Sequence, residues 1–269
     1  MEIIFPKPEN GYKGLFIVGE RKSETGTFEK TGTVILKRTY RINPATGEMS
    51  PIMDPDALDL FLTDVPLDPS VENIFQYEHD LAPFKPEGDI IVLGFVPVPS
   101  PVPVNVQLKV NNQIRLERDF DFLDLNNRYH LFGWEKRIDM HRQGEGEYNE
   151  YGKPKDSFKN RFFNGYLREA IPPFTELPYL KGNEHIKIIR DNSLDYYLTL
   201  PGDFPRATFF TVLSDKPDEE SHWQEHVLDL KIDTLVIEPE IHRAYLIWRA
   251  VWPFGDHDEE AYRRLVVQG

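Results

Sequence analysis

Alternation of apolar and polar residues is the feature of this chain that most constrains its fold. In residues 34–42 one set of alternating positions is apolar and the other polar: Val34, Leu36, Tyr40 and Ile42 against Lys37, Thr39 and Arg41. Residues 102–110 repeat the pattern with an apolar face made of Val102, Val104, Val106, Leu108 and Val110. Because successive side chains of a strand point to opposite faces, this period of two predicts half-buried β-strands.

Short turn sequences separate three pairs of these segments, which predicts antiparallel hairpins. Asn111-Asn112 follows the second alternating segment, and asparagine tolerates the positive φ angles of a two-residue turn. The sequence HIKII is separated from LDYYLTL by residues 191–193, and KIDTLVI is separated from RAYLIWRAVW by a turn around residues 238–240. Neighbouring strands are therefore expected to pair directly.

Helix signals are confined to two places. Asp54-Pro55 can cap and open a short helix that runs through Leu62, since aspartate favours the N-cap and proline the first turn. In HDEEAYRRLVV, residues 257–267, acidic residues lead and arginines trail, as the helix dipole prefers. Both segments are expected to be helical.

Together these patterns predict an all-β fold, a mainly antiparallel sandwich or barrel-like domain with one or two short helices. We expect a single domain over residues 1–269, interrupted by a polar loop at 141–160 and an acidic loop at 214–226. Residues 89–96 read as a buried strand that ends at Pro97, where proline removes a ladder donor. The proline-rich stretch that follows is expected to connect two strands of one fold.

Composition excludes several kinds of partner and chemistry. The formal net charge is −14 and the pI is near 5.0, so nucleic acid and anionic membranes are not expected as partners. The chain has no cysteine, which excludes disulfides and thiolate sites and is consistent with a reducing compartment. The first residues lack the basic start and apolar core of a signal peptide. We therefore expect a soluble, unprocessed cytoplasmic protein.

Catalytic and metal-binding motifs are not recognisable in the sequence. His222 and His226 have the i, i+4 spacing that places two imidazoles on one helix face, but Trp223 stands where a zinc protease has its glutamate. Neither a GxSxG nucleophile motif nor a GxxxxGK[ST] phosphate loop occurs. The 45 acidic residues are too many to single out a catalytic pair. We predict no catalytic residue, no cofactor site and no metal site.

Large aromatic residues are concentrated in RFFNGYL, residues 161–167, and YLIWRAVWPF, residues 245–254. Rings of this size pack the cores of β-sheets, and together with arginine they are also over-represented where proteins bind one another. Adjacent residues of an extended segment face opposite sides, so Phe162 and Phe163 can divide between core and surface. The predicted partner-binding residues are Arg161, Phe162, Phe163, Asn164 and Tyr166.

Six segments, in order along most of the chain, resemble a bacterial family that is described as a domain of unknown function. In DLAPFKPEGDIIVLGFVPVP (80–99) the matching residues are Asp80, Lys85, Pro86, Asp89 and Gly94. The other segments are VILKRTYRI (34–42), VQLKVNNQIRLERDFDF (106–122), DSFKNRFFNGYLREA (156–170), LKGNEHIKI (180–188) and IDTLVIEPEIHRAYLIWRA (232–250). Gly165-Tyr166 departs from the family's Ala-Pro, and the region before residue 156 is shorter than in longer members.

Members of that family are encoded beside type VI secretion genes, so the resemblance implies a non-catalytic adaptor or chaperone. Such a protein holds a toxic effector, often one with a PAAR-type tip domain, and helps to load it on the secretion spike. The expected partners are therefore the effector and the spike protein. Two alternatives stay open: a hydrolytic or carbohydrate-active β-sandwich enzyme that uses Asp and Glu, and a structural component of the spike.

Overall fold

The computed structural model describes residues 1–22, 28–66, 75–77, 79–82, 85, 88–93, 104–120, 179–191, 193–212, 220, 223–254 and 262–269. Over these residues the protein consists of strands and turns, with 3₁₀ helices at Pro8–Asn10 and Pro239–Ile241 and no α-helix. The predicted all-β class is confirmed. The strands are β1 (Glu2–Ile4), β2 (Tyr12–Lys22), β3 (Phe28–Ile42), β4 (Met49–Pro51), β5 (Val65–Pro66), β6 (Phe75–Tyr77), β7 (Asp89–Val92), β8 (Val104–Val110), β9 (Gln113–Phe120), β10 (His185–Arg190), β11 (Ser193–Thr199), β12 (Arg206–Val212), β13 (Trp223–Asp229), β14 (Lys231–Glu238), β15 (Arg243–Pro253) and β16 (Tyr262–Gln268).

Three larger sheets organise these strands. The central sheet has the order β2-β3-β15-β14-β7, with β4 paired to β3. The terminal sheet has the order β1-β16-β12-β13, and the hairpin sheet has the order β11-β10-β8-β9. Most pairs are antiparallel, but β1 runs parallel to β16 and β7 parallel to β14. Strands β5 and β6 form a separate two-stranded pair.

One hydrophobic cluster receives side chains from all three larger sheets. Trp248 and Leu36 come from the central sheet, Phe209 and Leu265 from the terminal sheet, and Leu108 from the hairpin sheet. Each of these five side chains is at most 1 % exposed. Burial of apolar surface on this scale is the main force that holds the sheets together.

The central sheet is buried on its other face as well, which corrects the expectation for residues 34–42. A second cluster lies there, built on Ile35, Val236 and Tyr245 and covered by Phe61 and Tyr77. Lys37 and Thr39, predicted to face away from the core, are completely buried on this side, whereas Arg41 is exposed as expected. The alternation is therefore correct, but both sides of the strand are inside the protein.

All three predicted hairpins are present. Asn111 and Asn112 have φ angles of 50° and 67° and join β8 to β9 as a two-residue turn. Asp191 has a φ of 46° at the turn from β10 to β11, and the 3₁₀ helix before His242 joins β14 to β15. These turns need left-handed backbone conformations, which asparagine and aspartate adopt more readily than other non-glycine residues.

Both predicted helices are wrong. Residues 54–62 form turns, because the backbone N–H groups of Leu58 and Phe61 donate to the side chains of Thr39 and Asp80 rather than to helical carbonyls. Residues 257–261 of the second predicted helix lie outside the described residues, and the rest of it belongs to strand β16, which pairs with β1 on one side and β12 on the other. Strand pairing on both sides satisfies its backbone groups and overrides the charge pattern of a helix.

Three further sequence predictions have mixed outcomes. The predicted loop at 214–226 overlaps β13, which begins at Trp223, and residues 214–219, 221 and 222 lie outside the described residues. The predicted strand at residues 89–96 is a strand over Asp89–Val92, at the edge of the central sheet, and residues 94–103 lie outside the described residues. The predicted loop at 141–160 also lies outside the described residues.

Among the described residues no helix is long and apolar enough to cross a membrane.

The strand assignment of the last residues gives a direct mutational test. Leu265 and Val267 both point into the core with at most 2 % exposure, as a period of two requires. We expect Leu265→Ala to lower the free energy of unfolding by about 2–5 kcal/mol, and Val267→Ala to lower it by a smaller but measurable amount. Chemical denaturation would measure both, with the exposed Gln268→Ala as control. Loss of stability in only one of the two core variants would contradict the strand.

Candidate functional site

A completely buried lysine lies on the second face of the central sheet. The Lys37 ammonium donates to Asp80 Oδ2 over 3.0 Å, and both side chains are at most 3 % exposed. Its Nζ lies 3.5 Å from the ring centroid of Phe61 and 4.2 Å from that of Tyr245. Burial lowers the pKa of Lys37, although the Asp80 carboxylate opposes this shift. The aromatic faces and the carboxylate together replace the water that this cation loses.

Asp80 also holds in place the chain segment that covers this face, residues 58–66, 75–77 and 79–82, which we call the covering segment. Its Oδ2 accepts the backbone N–H of Phe61 over 2.8 Å, and its own N–H donates to the Phe61 carbonyl over 2.7 Å. The Asp80 carbonyl accepts a hydrogen bond from Arg249 Nη2 over 3.0 Å. Asp80 therefore connects the covering segment to both β3 and β15.

The polar contacts continue across the next two strands. Arg249 on β15 forms a buried ion pair with Asp233 on β14. Asp233 Oδ1 accepts the hydroxyl of Thr234 over 2.8 Å, and the Thr234 oxygen accepts from Lys85 Nζ over 2.8 Å. Lys85 also pairs with Asp89 at the start of β7, with Nζ 2.6 Å from Oδ2. We call this set the ion-pair network: Lys37, Asp80, Arg249, Asp233, Thr234, Lys85 and Asp89.

Two smaller polar clusters lie near the ion-pair network. On the same face of the sheet, Glu238 accepts from the Tyr77 hydroxyl over 2.6 Å and from Arg243 Nε over 2.5 Å. On the opposite face, Asp203 Oδ2 accepts from the Tyr40 hydroxyl over 2.7 Å and from Arg38 over 2.8 Å. Burial raises the pKa of both tyrosines, so they are neutral donors near neutral pH.

A groove opens beside the ion-pair network. It consists of two adjoining depressions, of about 550 Å³ and 280 Å³, that share Tyr179, Asp229 and Lys231 in their walls. The larger depression is mainly apolar and includes Phe204 and Trp248. The smaller one is charged and includes three members of the network, Lys85, Asp233 and Arg249. The Tyr179 hydroxyl donates to the Lys85 carbonyl, which attaches the rim of the groove to the network.

The structure does not test the residues that the sequence predicts for partner binding. Arg161, Phe162, Phe163, Asn164 and Tyr166 lie outside the described residues, so their predicted role in partner binding stays a prediction.

The spacing of His222 and His226 does not correspond to a helix face. His226 lies on strand β13, where its Nε2 is 2.9 Å from Thr211 Oγ1, and His222 is outside the described residues. Within the part of the chain that the structure describes, no three His, Asp or Glu side chains are grouped to hold a metal ion.

The sequence reading missed the ion-pair network, although signals for part of it were present. A lysine between aliphatic residues in a strand, as in VILKRTY, is costly to bury without a partner. Asp80, Lys85 and Asp89 belong to the segment that resembles the family, and in the structure all three take part in ion pairs. The sequence shows that these residues are charged, but it does not show which of them pair with one another.

Comparisons with protein-family models, with curated proteins and with solved structures find no match for this chain.

Removal of the Asp80 charge tests the central ion pair. In Asp80→Asn the Lys37 ammonium is left buried without a carboxylate, and we expect the free energy of unfolding to fall by about 3–5 kcal/mol. In the double variant Lys37→Met/Asp80→Asn no buried charge is left unpaired, so part of that loss should be recovered. Chemical denaturation would measure both.

The exposed pair between Arg206 and Asp229 is the matched control, since the side chains are 64 % and 81 % exposed and 3.3 Å apart. Asp229→Asn should change stability by no more than about 0.5 kcal/mol. If Asp80→Asn cost no more than this surface substitution, the ion pair would not hold the covering segment in place.

Proposed function

We propose that the protein is a non-catalytic adaptor that binds a type VI secretion effector in the bacterial cytoplasm and helps to load it on the secretion spike. The resemblance of the six ordered segments to the adaptor family is the basis of this proposal. The expected partners are the effector, which in this family often carries a PAAR-type domain, and the spike protein.

The arrangement of the motif residues is the observation that carries the proposal. Asp80, Lys85 and Asp89, which belong to the strongest of the six segments, are engaged in the ion-pair network. Asp233 and Arg249, from the last segment, pair with each other inside the same network. Side chains that pair with one another in this way stabilise the framework of the protein. A binding protein needs such a stable framework.

The groove supplies the second feature that a binding protein needs. Its larger depression combines apolar walls with the side chain of Phe204, which is 65 % exposed. Exposed aromatic residues next to an apolar depression are typical of surfaces that bind other proteins.

A co-purification experiment tests the proposal. The protein would be tagged in its native host, and the bound proteins identified by mass spectrometry. We expect an effector encoded beside this gene to be recovered, and to accumulate less when the gene is deleted. An effector that accumulates and is secreted normally in the deletion strain would contradict the adaptor function.

Purified spikes separate the adaptor from a structural component. A transient adaptor should be absent from the finished particle, whereas a spike component would be present in fixed stoichiometry.

A further inference from the structure

Two buried N–H groups in the walls of the groove find no acceptor among the described residues. One is the indole Nε1 of Trp248, a side chain that is 1 % exposed and lines the larger depression. The other is Nε of Arg249, which is 5 % exposed and lines the smaller depression. A buried donor without a partner is destabilising, so the walls of the groove contain polar atoms that the described residues leave unsatisfied.

The charges around the groove favour an acidic occupant. Its walls contain five cations, Lys85, Lys181, Arg206, Lys231 and Arg249, and three acids, Asp203, Asp229 and Asp233. The difference is a local charge of 5 − 3 = +2, on a protein whose formal net charge is −14. Lys181 and Lys231 are exposed. A carboxylate beside them would meet favourable charge that most of this acidic protein does not offer.

The shape of the groove favours an apolar side chain beside that charge. A volume of about 550 Å³ lies within the range of sites that enclose small ligands or anchoring side chains. Leu180, Leu230 and Ile232 form apolar walls that are at most 7 % exposed. Phe204 stands at the surface beside them and can pack against an inserted ring or leucine.

We propose that this groove binds an extended acidic segment of a partner polypeptide that carries one large apolar side chain. The apolar side chain enters the larger depression and packs against Phe204. A carboxylate lies beside Lys231, towards the charged depression that contains Arg249. This inference rests on the proposed adaptor function for its choice of a polypeptide as the occupant.

Indole NMR signals give a direct test on the full-length chain. The protein has four tryptophans, so ¹⁵N-labelling of tryptophan gives few indole signals, and Trp248→Phe assigns the one of interest. The probe is an acetylated and amidated octapeptide, GDELFDEG, whose adjacent leucine and phenylalanine point to opposite sides when it is extended, so that one of them enters the depression. We expect a saturable change in the chemical shift of the Trp248 indole signal, because Trp248 lines the depression that the peptide fills.

Two matched peptides test the contributions of the apolar anchor and of the acidic residues separately. In GDESSDEG the apolar anchor is replaced, and in GKKLFKKG the acidic residues are replaced by lysine. Both should shift the Trp248 signal much less at equal concentration. An equal response to the basic peptide would overturn the proposal. So would a Trp248 signal that no peptide moves, as expected if another part of this chain fills the groove.

Surface variants give the quantitative test. Phe204→Ala and Lys231→Glu should each weaken binding of the acidic peptide by about tenfold, since each removes one element of recognition. Ile241→Ala and Lys7→Glu are the controls, because these exposed residues lie outside the groove walls. Equal affinities for all four variants would overturn the proposal. Unfolding curves would show that the exposed substitutions leave the fold intact.

Effector binding distinguishes failure of this inference from failure of the adaptor function. If the effector co-purifies equally with the wild type and with Phe204→Ala and Lys231→Glu, the groove is wrong and the adaptor function stands. If the wild type recovers no effector, the adaptor function fails, while the peptide titration still decides whether the groove binds.

Discussion

The ion pair between Lys37 and Asp80 is the interaction on which the rest of this structure depends. Transfer of two charges from water to a protein interior costs several kcal/mol per ion, and this cost is offset only by close and complete contacts. Here the carboxylate lies 3.0 Å from the ammonium, and the rings of Phe61 and Tyr245 lie against the cation. The lysine is thus compatible with the core only while the segment that carries Phe61 and Asp80 covers the sheet.

This requirement links the covering segment to the groove. Arg249 holds the Asp80 carbonyl and the Asp233 carboxylate, and the same arginine lines the groove. Lys85 extends the contacts to the edge of the central sheet and accepts the Tyr179 hydroxyl at its carbonyl. A change at the buried ion pair is therefore expected to disturb the groove through fixed hydrogen bonds, although Lys37 does not line it. We propose that the residues shared with the family segments build the scaffold, and that the groove beside them binds the acidic segment of the partner.

The strands and turns were predictable from the sequence because they depend on local chemistry. Alternation located β3 and β8, and Asn111-Asn112 located a turn that needs two positive φ angles. Strand β16 was mistaken for a helix because its charge order suits a helix dipole, while the partners β1 and β12 come from distant parts of the chain. Non-local pairing of this kind leaves no trace in the segment itself.

The site was less predictable than the fold. Lys37 occupies a position that alternation assigns to solvent, and only the covering segment, more than forty residues away at Asp80, makes it a buried residue. The groove combines Tyr179, Phe204, Lys231 and Trp248, whose proximity follows from the arrangement of the strands and not from any spacing along the chain. Sequence reasoning identified several of the charged residues in the network but could not identify their partners.

Hydrogen exchange at the Phe61 amide tests the central claim most directly, since this N–H donates to Asp80 inside the covering segment. We expect slow exchange in the native protein, with protection close to that of the Leu36 amide in the core of β3. We also expect Asp80→Asn to lower the protection at Phe61 far more than at Leu36. If the Phe61 amide of the native protein exchanged at the rate of an exposed loop, the buried ion pair would not hold this segment on the sheet.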